Sequence, residues 1–208
     1  MQAIRLRRGT ASDAGVLSGF AARVFREAFA AGNDPADLET YMAEAFTVDR
    51  QRSELEDAHG TIILAEERAA GGEGDGGVLV GYAHLVPGDI PTAARGVKAL
   101  ELKRCYVARP WQGRGVADAL MGEVLRVALE RAVELLWLGV WERNHRAIAF
   151  YRRHGFTLVG EHTFLLGRDA QTDHIMSRLV GDGDASPDGS SAPPGMGRPA
   201  VGYEAPPR

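Results

Sequence analysis

The hydrophobic positions of this chain change period several times, and each change predicts an element. Ile4 to Arg7 alternates and predicts a short first strand. Between Asp13 and Ala30, the side chains Val16, Leu17, Phe20, Val24 and Phe29 fall near one helical stripe, with Thr10 or Ser12 able to cap it. Gly32-Asn-Asp-Pro35 breaks that helix, Pro35 to about Phe46 predicts a second, and Asp49 to Glu56 a short third. Thr61–Glu66 and Val78–Val86 read as strands separated by a glycine-rich hairpin loop, Gly71 to Gly77. A loop over 88–97 leads into a strand over 98–107, then a long amphipathic helix to about Arg131. A strand at Leu135–Val140, a helix around Ala147–Tyr151 and two strands near 156–166 and 172–179 follow, the last two joined at Gly167-Arg-Asp-Ala. Early hairpins followed by a strand–helix–strand unit predict an α/β chain, a mixed sheet with helices on both faces. From Gly181 the pattern gives way to Gly, Pro, Ser and Asp, which cannot bury enough apolar surface to offset chain entropy. One domain over 1–180 and a disordered tail over 181–208 are therefore expected.

The point where the 98–107 strand feeds the long helix carries the sharpest chemistry. Gln112-Gly-Arg-Gly-Val-Ala117 is a glycine-rich turn at a helix start. The first backbone N–H groups of a helix have no intrahelical partner, and the dipole adds partial positive charge there. Gly113 and Gly115 remove the Cβ atoms that would hold a ligand off the backbone. A phosphate or pyrophosphate is the implied ligand, although a tight strand-to-helix turn without a ligand would carry similar glycines. The nucleotide P-loop is excluded because Gly115 is followed by Val116-Ala117 and not by Lys-Ser/Thr. The dinucleotide fingerprint is excluded by its spacing and by the mid-chain position. Downstream, Asn144 can cap a helix whose Ala147, Ile148 and Tyr151 share one face, and Gly155 suits its left-handed stop.

Gln112, Gly115 and Ala117 fit the pattern Q/R-x-x-G-x-G/A, and Asn144 to Phe156 reads N-x-x-A-x-x-x-Y-x-x-x-G-F. Together the two segments resemble the signatures of the GCN5-related N-acetyltransferase (GNAT) superfamily, and the resemblance extends over roughly residues 3 to 180. It implies a largely antiparallel sheet of about seven strands flanked by about four helices, with acetyl-CoA as co-substrate. It also implies that the backbone of Cys105, Tyr106 and Val107 binds the pantetheine arm, and that Gln112, Gly113, Arg114, Gly115, Val116 and Ala117 hold the pyrophosphate. Asn144, Tyr151 and Arg153 complete the implied cofactor set. Tyr151 is the implied general acid for the departing thiolate. A phenol near 10 and a thiol near 8.5 differ by about 1.5 pH units, about 2 kcal/mol, so proton donation is nearly balanced. A tyrosine on an apolar helix face can equally be core.

Glu101 is the implied base, eleven positions before Gln112, the offset of the glutamate base in the histone-acetylating branch. A carboxylate at ~4.3 facing an alkylammonium at ~10.4 has ~8 kcal/mol to make up, so it needs a raised pKa, a water relay, or attack to come first. Its plainer reading is a solvent-facing edge residue or a partner of Lys103. Val159 to Met176 and Pro35 to Tyr41 resemble bacterial spermidine/spermine acetyltransferases, which implies a polyamine or other small primary amine as acceptor. A non-catalytic acyl-CoA sensor and an acetyltransferase for protein amines are the alternatives. Asp118 departs from the family pattern and would repel a pyrophosphate unless its side chain turns away.

Composition narrows the rest. The 208 residues are 45% hydrophobic and 25% charged with net charge −4, which lacks the basic footprint of a nucleic-acid binder. One cysteine, Cys105, excludes an intrachain disulfide and a thiolate metal cluster, and reads as a small buried residue. His162 and His174 lie on the last two strands and are able to face each other, but no third ligand accompanies them, so no metal is expected. No apolar run approaches membrane-spanning length and the first residues lack a signal peptide's apolar core, so a cytoplasmic protein is expected. Exposed final strands suggest a homodimer.

Overall fold

The computed structural model describes residues 3–68, 77–88, 90, 98–166 and 168–181. Most of the glycine-rich loop at 71–77, most of the 88–97 loop, Gly167 and the tail from residue 182 lie outside the described residues.

Among the described residues seven strands form one sheet: β1 (Ile4–Arg8), β2 (Thr61–Glu67), β3 (Val78–Pro87), β4 (Ala99–Val107), β5 (Leu135–Trp141), β6 (Thr157–Leu166) and β7 (Asp169–Leu179). Their spatial order is β1-β2-β3-β4-β5-β7-β6, and only β4 and β5 run parallel. The mixed, largely antiparallel fold expected from the sequence is the one observed. Among the described residues five α-helices flank it, where the resemblance implied about four: α1 (Ala14–Phe29), α2 (Pro35–Ala45), α3 (Val48–Glu56), α4 (Val116–Glu130) and α5 (His145–Arg153). The short third helix expected over Asp49 to Glu56 is α3, capped by Thr47, whose hydroxyl accepts a hydrogen bond from Arg50 N at 3.1 Å. A single 3₁₀ turn at Ala11–Asp13 precedes α1, and Asp13 accepts from Thr10 N at 2.8 Å.

The centre of β2, Ile62–Ala65, is apolar without alternation because both of its faces are buried. Ile63 and Ala65 belong to one core with Leu120, Met121 and Val124 of α4 and Ile148 of α5. Ile62 and Leu64 face the other way, onto Leu17, Phe20 and Phe25 of α1 and Leu38 of α2.

Two irregularities in β4 create the site. His84 lies opposite Arg104 and Leu85 opposite Leu102, so Lys103 is a bulge residue that reverses the strand's alternation. Leu100 and Leu102 therefore share the α4 face with Cys105 and Val107. In addition, the parallel ladder to β5 ends at the Glu101–Trp137 pair. Beyond it, among the described residues, that edge of β4 has no strand partner and borders a cleft whose far wall is β5.

Candidate active site

The sequence folds the glycine turn in three steps. Val107 and Ala108 leave the sheet into a 3₁₀ turn, Arg109–Trp111, and Gln112 then donates from Nε2 to Val107 O at 2.9 Å. Arg146 at the start of α5 donates to Gln112 Oε1 at 2.6 Å, tying the turn to the second motif. Gly113 and Gly115 adopt φ of +76° and +81°, which a Cβ would strain, and nothing lies within 4 Å of where either Cβ would stand. The turn is thus open on its outer side. Gly115 caps α4. Val116 is 1% exposed and anchors the helix in the core, while Ala117 lines the cavity. Arg114 is not among the lining side chains and instead lies 5.4 Å from the centre of the Trp111 ring. Asp118 Oδ1 sits 3.0 Å from His154 Nε2, a partner at the end of α5.

A cavity of about 720 Å³ runs along this cleft, and its two ends differ in character. Beside the glycine turn and α5 it is bordered by Arg146 and Arg153. At the other end lie Glu101 and Asp173 among the rings of Phe29, Tyr41, Trp141 and Phe164.

Tyr151 projects from α5 and is 9% exposed, packed edge-on against Phe156 at 5.7 Å between ring centres. Burial, with smaller contributions from Cys105 and Tyr106, pushes its phenol well above the ordinary range, so it stays protonated at neutral pH. Tyr151 is part of the core and also lines the cavity. Burial pushes the Cys105 thiol up to about 12, which removes it as a nucleophile. Tyr106 points its ring to the other face of β4, 5.9 Å from the Tyr82 ring. Asn144 Oδ1 caps α5 by accepting from Ala147 N at 3.1 Å while the residue lines the cavity. Gly155 ends the helix at φ +80°. Arg153 also lines the cavity, 5.7 Å from the Phe150 ring.

Glu101 is partly buried, and burial raises its carboxyl above the usual range while Lys103, His162 and Arg104 oppose the shift. The alternative in which Glu101 pairs with Lys103 is not seen among the described residues. The bulge sends Lys103 Nζ to Glu54 at 3.8 Å. The facing of His162 and His174 is also corrected. Register sets His162 opposite Asp173 and His174 opposite Glu161, so the two rings take opposite faces. Asp173 and Gly139 were not singled out in the sequence; only the strand register between 157 and 179 brings them to the cavity. Among the described residues, no cluster of His, Cys, Asp or Glu has the makings of a metal site, and no helix is long and apolar enough to cross a membrane.

The matching family model is the acetyltransferase (GNAT) family, over residues 25–156. The chain belongs to the GNAT acetyltransferase family. It is 32% identical to an uncharacterised N-acetyltransferase from Mycobacterium tuberculosis over 167 residues, 80% of this chain and 97% of that protein. A second uncharacterised N-acetyltransferase, from Lactobacillus delbrueckii, is 28% identical over 156 residues, 75% of this chain and 86% of that one. Among solved structures, the PaiA N-acetyltransferase of Thermoplasma acidophilum in complex with coenzyme A superposes with a TM-score of 0.66 at 17% identity, covering 85% of this chain and 99% of that one. At that identity the likeness is one of fold. Family membership makes the GNAT chain an acetyl-CoA-dependent N-acetyltransferase.

Proposed function

We propose that this GNAT enzyme transfers the acetyl group of acetyl-CoA to a small primary amine, polyamines included, by direct attack within a ternary complex. One observation carries the reading: the open glycine turn, the unpaired edge of β4 and the buried Tyr151 ring border a single cavity. The turn from Gln112 to Ala117 would hold the pyrophosphate, with Arg146 and Arg153 beside it. The backbone of Cys105, Tyr106 and Val107, with Asn144, would hold the pantetheine arm. Arg114 contributes its backbone there, its side chain being stacked on Trp111.

The amine nitrogen attacks the thioester carbon and the C–S bond then breaks. Glu101, through water, accepts the proton that the nitrogen loses. Tyr151 gives its proton to the departing sulfur. Burial raises the phenol, and the same dry surroundings raise a departing thiol, so the near-balance of the two is kept. Unpaired β4 amides polarise the carbonyl oxygen as it gains charge.

A cytoplasmic setting suits a CoA-dependent reaction. A homodimer would use the edge strand β6, where Leu158, Val159 and Leu165 are exposed. Release of free CoA thiol, followed across a panel of small amines, tests the function. Amine-dependent release supports it. Tight acetyl-CoA binding without release for any small amine overturns it, in favour of a protein acceptor or a sensor.

A further inference from the structure

The acceptor end of the cavity holds one more carboxylate than the proposed chemistry uses. Strand pairing sets Asp173 of β7 opposite Trp141 of β5 on one side and opposite His162 of β6 on the other. Alternation puts Gly139 on the same face, two residues before Trp141. A Cβ at Gly139 would stand 2.9 Å from His162 Nε2 and 3.5 Å from Asp173 Oδ2. The imidazole therefore lies across bare backbone, and only glycine leaves it that room. His162 Nε2 is 3.9 Å from Asp173 Oδ2, near enough for charge attraction and too far for a hydrogen bond.

Asp173 is mostly buried, with 15% of its side chain exposed, and among the described residues nothing gives its carboxylate a hydrogen bond. Burial raises its carboxyl while His162 and His174 oppose the shift. Such a group is costly to bury unless a cation pairs with it. The walls suit a cation: Phe29 lies 5.8 Å from Trp141, and Tyr41 lies 5.5 Å from Phe164, between ring centres.

The reacting nitrogen cannot be that cation. It must lose its proton before or during attack, and a close carboxylate pair would hold it in the protonated, unreactive form. Glu101 already serves the proton. Resting on the N-acetyltransferase reading above, we propose that Asp173 is a specificity-determining residue, binding a positively charged group of the acceptor other than the reacting nitrogen. The substrate class is then a diamine, or another amine that carries a second positive charge. His162, laid over Gly139, is a positioning residue for the carboxylate.

Steady-state kinetics at saturating acetyl-CoA, comparing α,ω-diamines with monoalkylamines of matched length, test this. The wild-type enzyme is expected to favour the best diamine by at least about tenfold in kcat/KM. In Asp173→Asn the diamine KM should rise about 10- to 100-fold with a much smaller change in kcat, and the preference should collapse toward unity. Gly139→Ala, which displaces His162, should raise the diamine KM by less than Asp173→Asn does; a larger rise than in Asp173→Asn overturns the assignment of the carboxylate. A preference that survives in Asp173→Asn overturns the proposal. Calorimetric binding of a diamine to the CoA-loaded protein gives a readout independent of turnover. Loss of that binding in Asp173→Asn supports the subsite, and equal binding, or no diamine binding to either protein, overturns it. Failure of acetyl transfer to every amine, with Asp173-dependent diamine binding intact, sinks the small-amine transferase reading and leaves the subsite standing.

Discussion

The two ends of the cavity are built from different materials. The end proposed for the cofactor is largely backbone: two glycines at positive φ, the first turn of α4 and the unpaired edge of β4, with Arg146 and Arg153 beside them. The acceptor end is side chains: Glu101, Asp173 and His162 among aromatic rings from α1, α2, β5 and β6. Backbone donors recognise a group common to every member of a family and leave few positions free to vary. Side chains on a fixed sheet can change one at a time without disturbing the turn, which lets the acceptor differ while the acyl donor stays constant.

The largest expected effect falls where the two ends meet. Tyr151→Phe keeps the packing against Phe156 and removes only the hydroxyl, so kcat should fall about 10²- to 10⁴-fold with acetyl-CoA affinity little changed. Stopped-flow turnover with calorimetry of acetyl-CoA binding checks both halves, and unchanged turnover across the pH range removes the acid role. Next comes the support beneath the acceptor end. Glu54 of α3 is buried against Arg104 of β4, Oε2 to Nη1 at 2.5 Å, with Arg50 and Lys103 also within reach. Burial alone would push this carboxyl up, but Arg104, His84 and Lys103 hold it below the usual range. Glu54→Gln strands the buried Arg104 charge and should cost about 3–5 kcal/mol of stability by denaturant unfolding. In the protein that remains folded, the amine KM should rise more than the acetyl-CoA Kd; equal changes in both would show the ends to be one unit.

The same division decides what the sequence makes legible. The glycine turn, Asn144 and Tyr151 are singled out because each sits in a short local pattern: a helix start, a cap, and a signature within one helix that resembles the family's. The strands are legible from similarly local signals, an apolar run as in β2 or alternation as in β1. At the acceptor end Glu101 is singled out, but Asp173 and Gly139 escape because their places depend on register between strands. Nothing near Gly139 announces that His162 will lie across it. The Lys103 bulge is equally silent, and it sets Lys103 beside Glu54 in place of the alternative pairing with Glu101. A one-residue change in register reverses every side chain that follows, so alternation read from the sequence fails past such a point.

The side chains packed beneath β4 should also make the fold sensitive to pH. His84 of β3, opposite Arg104, is 1% exposed, and burial lowers its imidazole to about 4 against the pull of Glu54. An imidazole lowered in the fold is neutral there while the unfolded chain still binds a proton. Its contribution is therefore complete above about 6.5 and lost as the pH falls toward 4, a loss of about 3 kcal/mol at most. Denaturant unfolding at about pH 7 and about pH 4.5 should show the drop, and His84→Gln should shrink it; an equal drop in the variant assigns it to other groups.

The smallest effect is the most discriminating for the backbone-built end. At Gly115 the φ of +81° is strained for any L side chain, while a Cβ would meet no protein atom within 4 Å. Gly115→Ala should therefore cost about 1–2 kcal/mol of stability from backbone strain alone. If the open space above the turn is where the diphosphate lies, the added methyl also stands in the ligand's way, and the acetyl-CoA Kd should weaken about tenfold, ~1.4 kcal/mol. The amine KM, set at the other end of the cavity, should move far less. Lost stability with unchanged acetyl-CoA affinity would mean that the glycine serves the turn and not a ligand, and the contrast between the two ends would lose its backbone half.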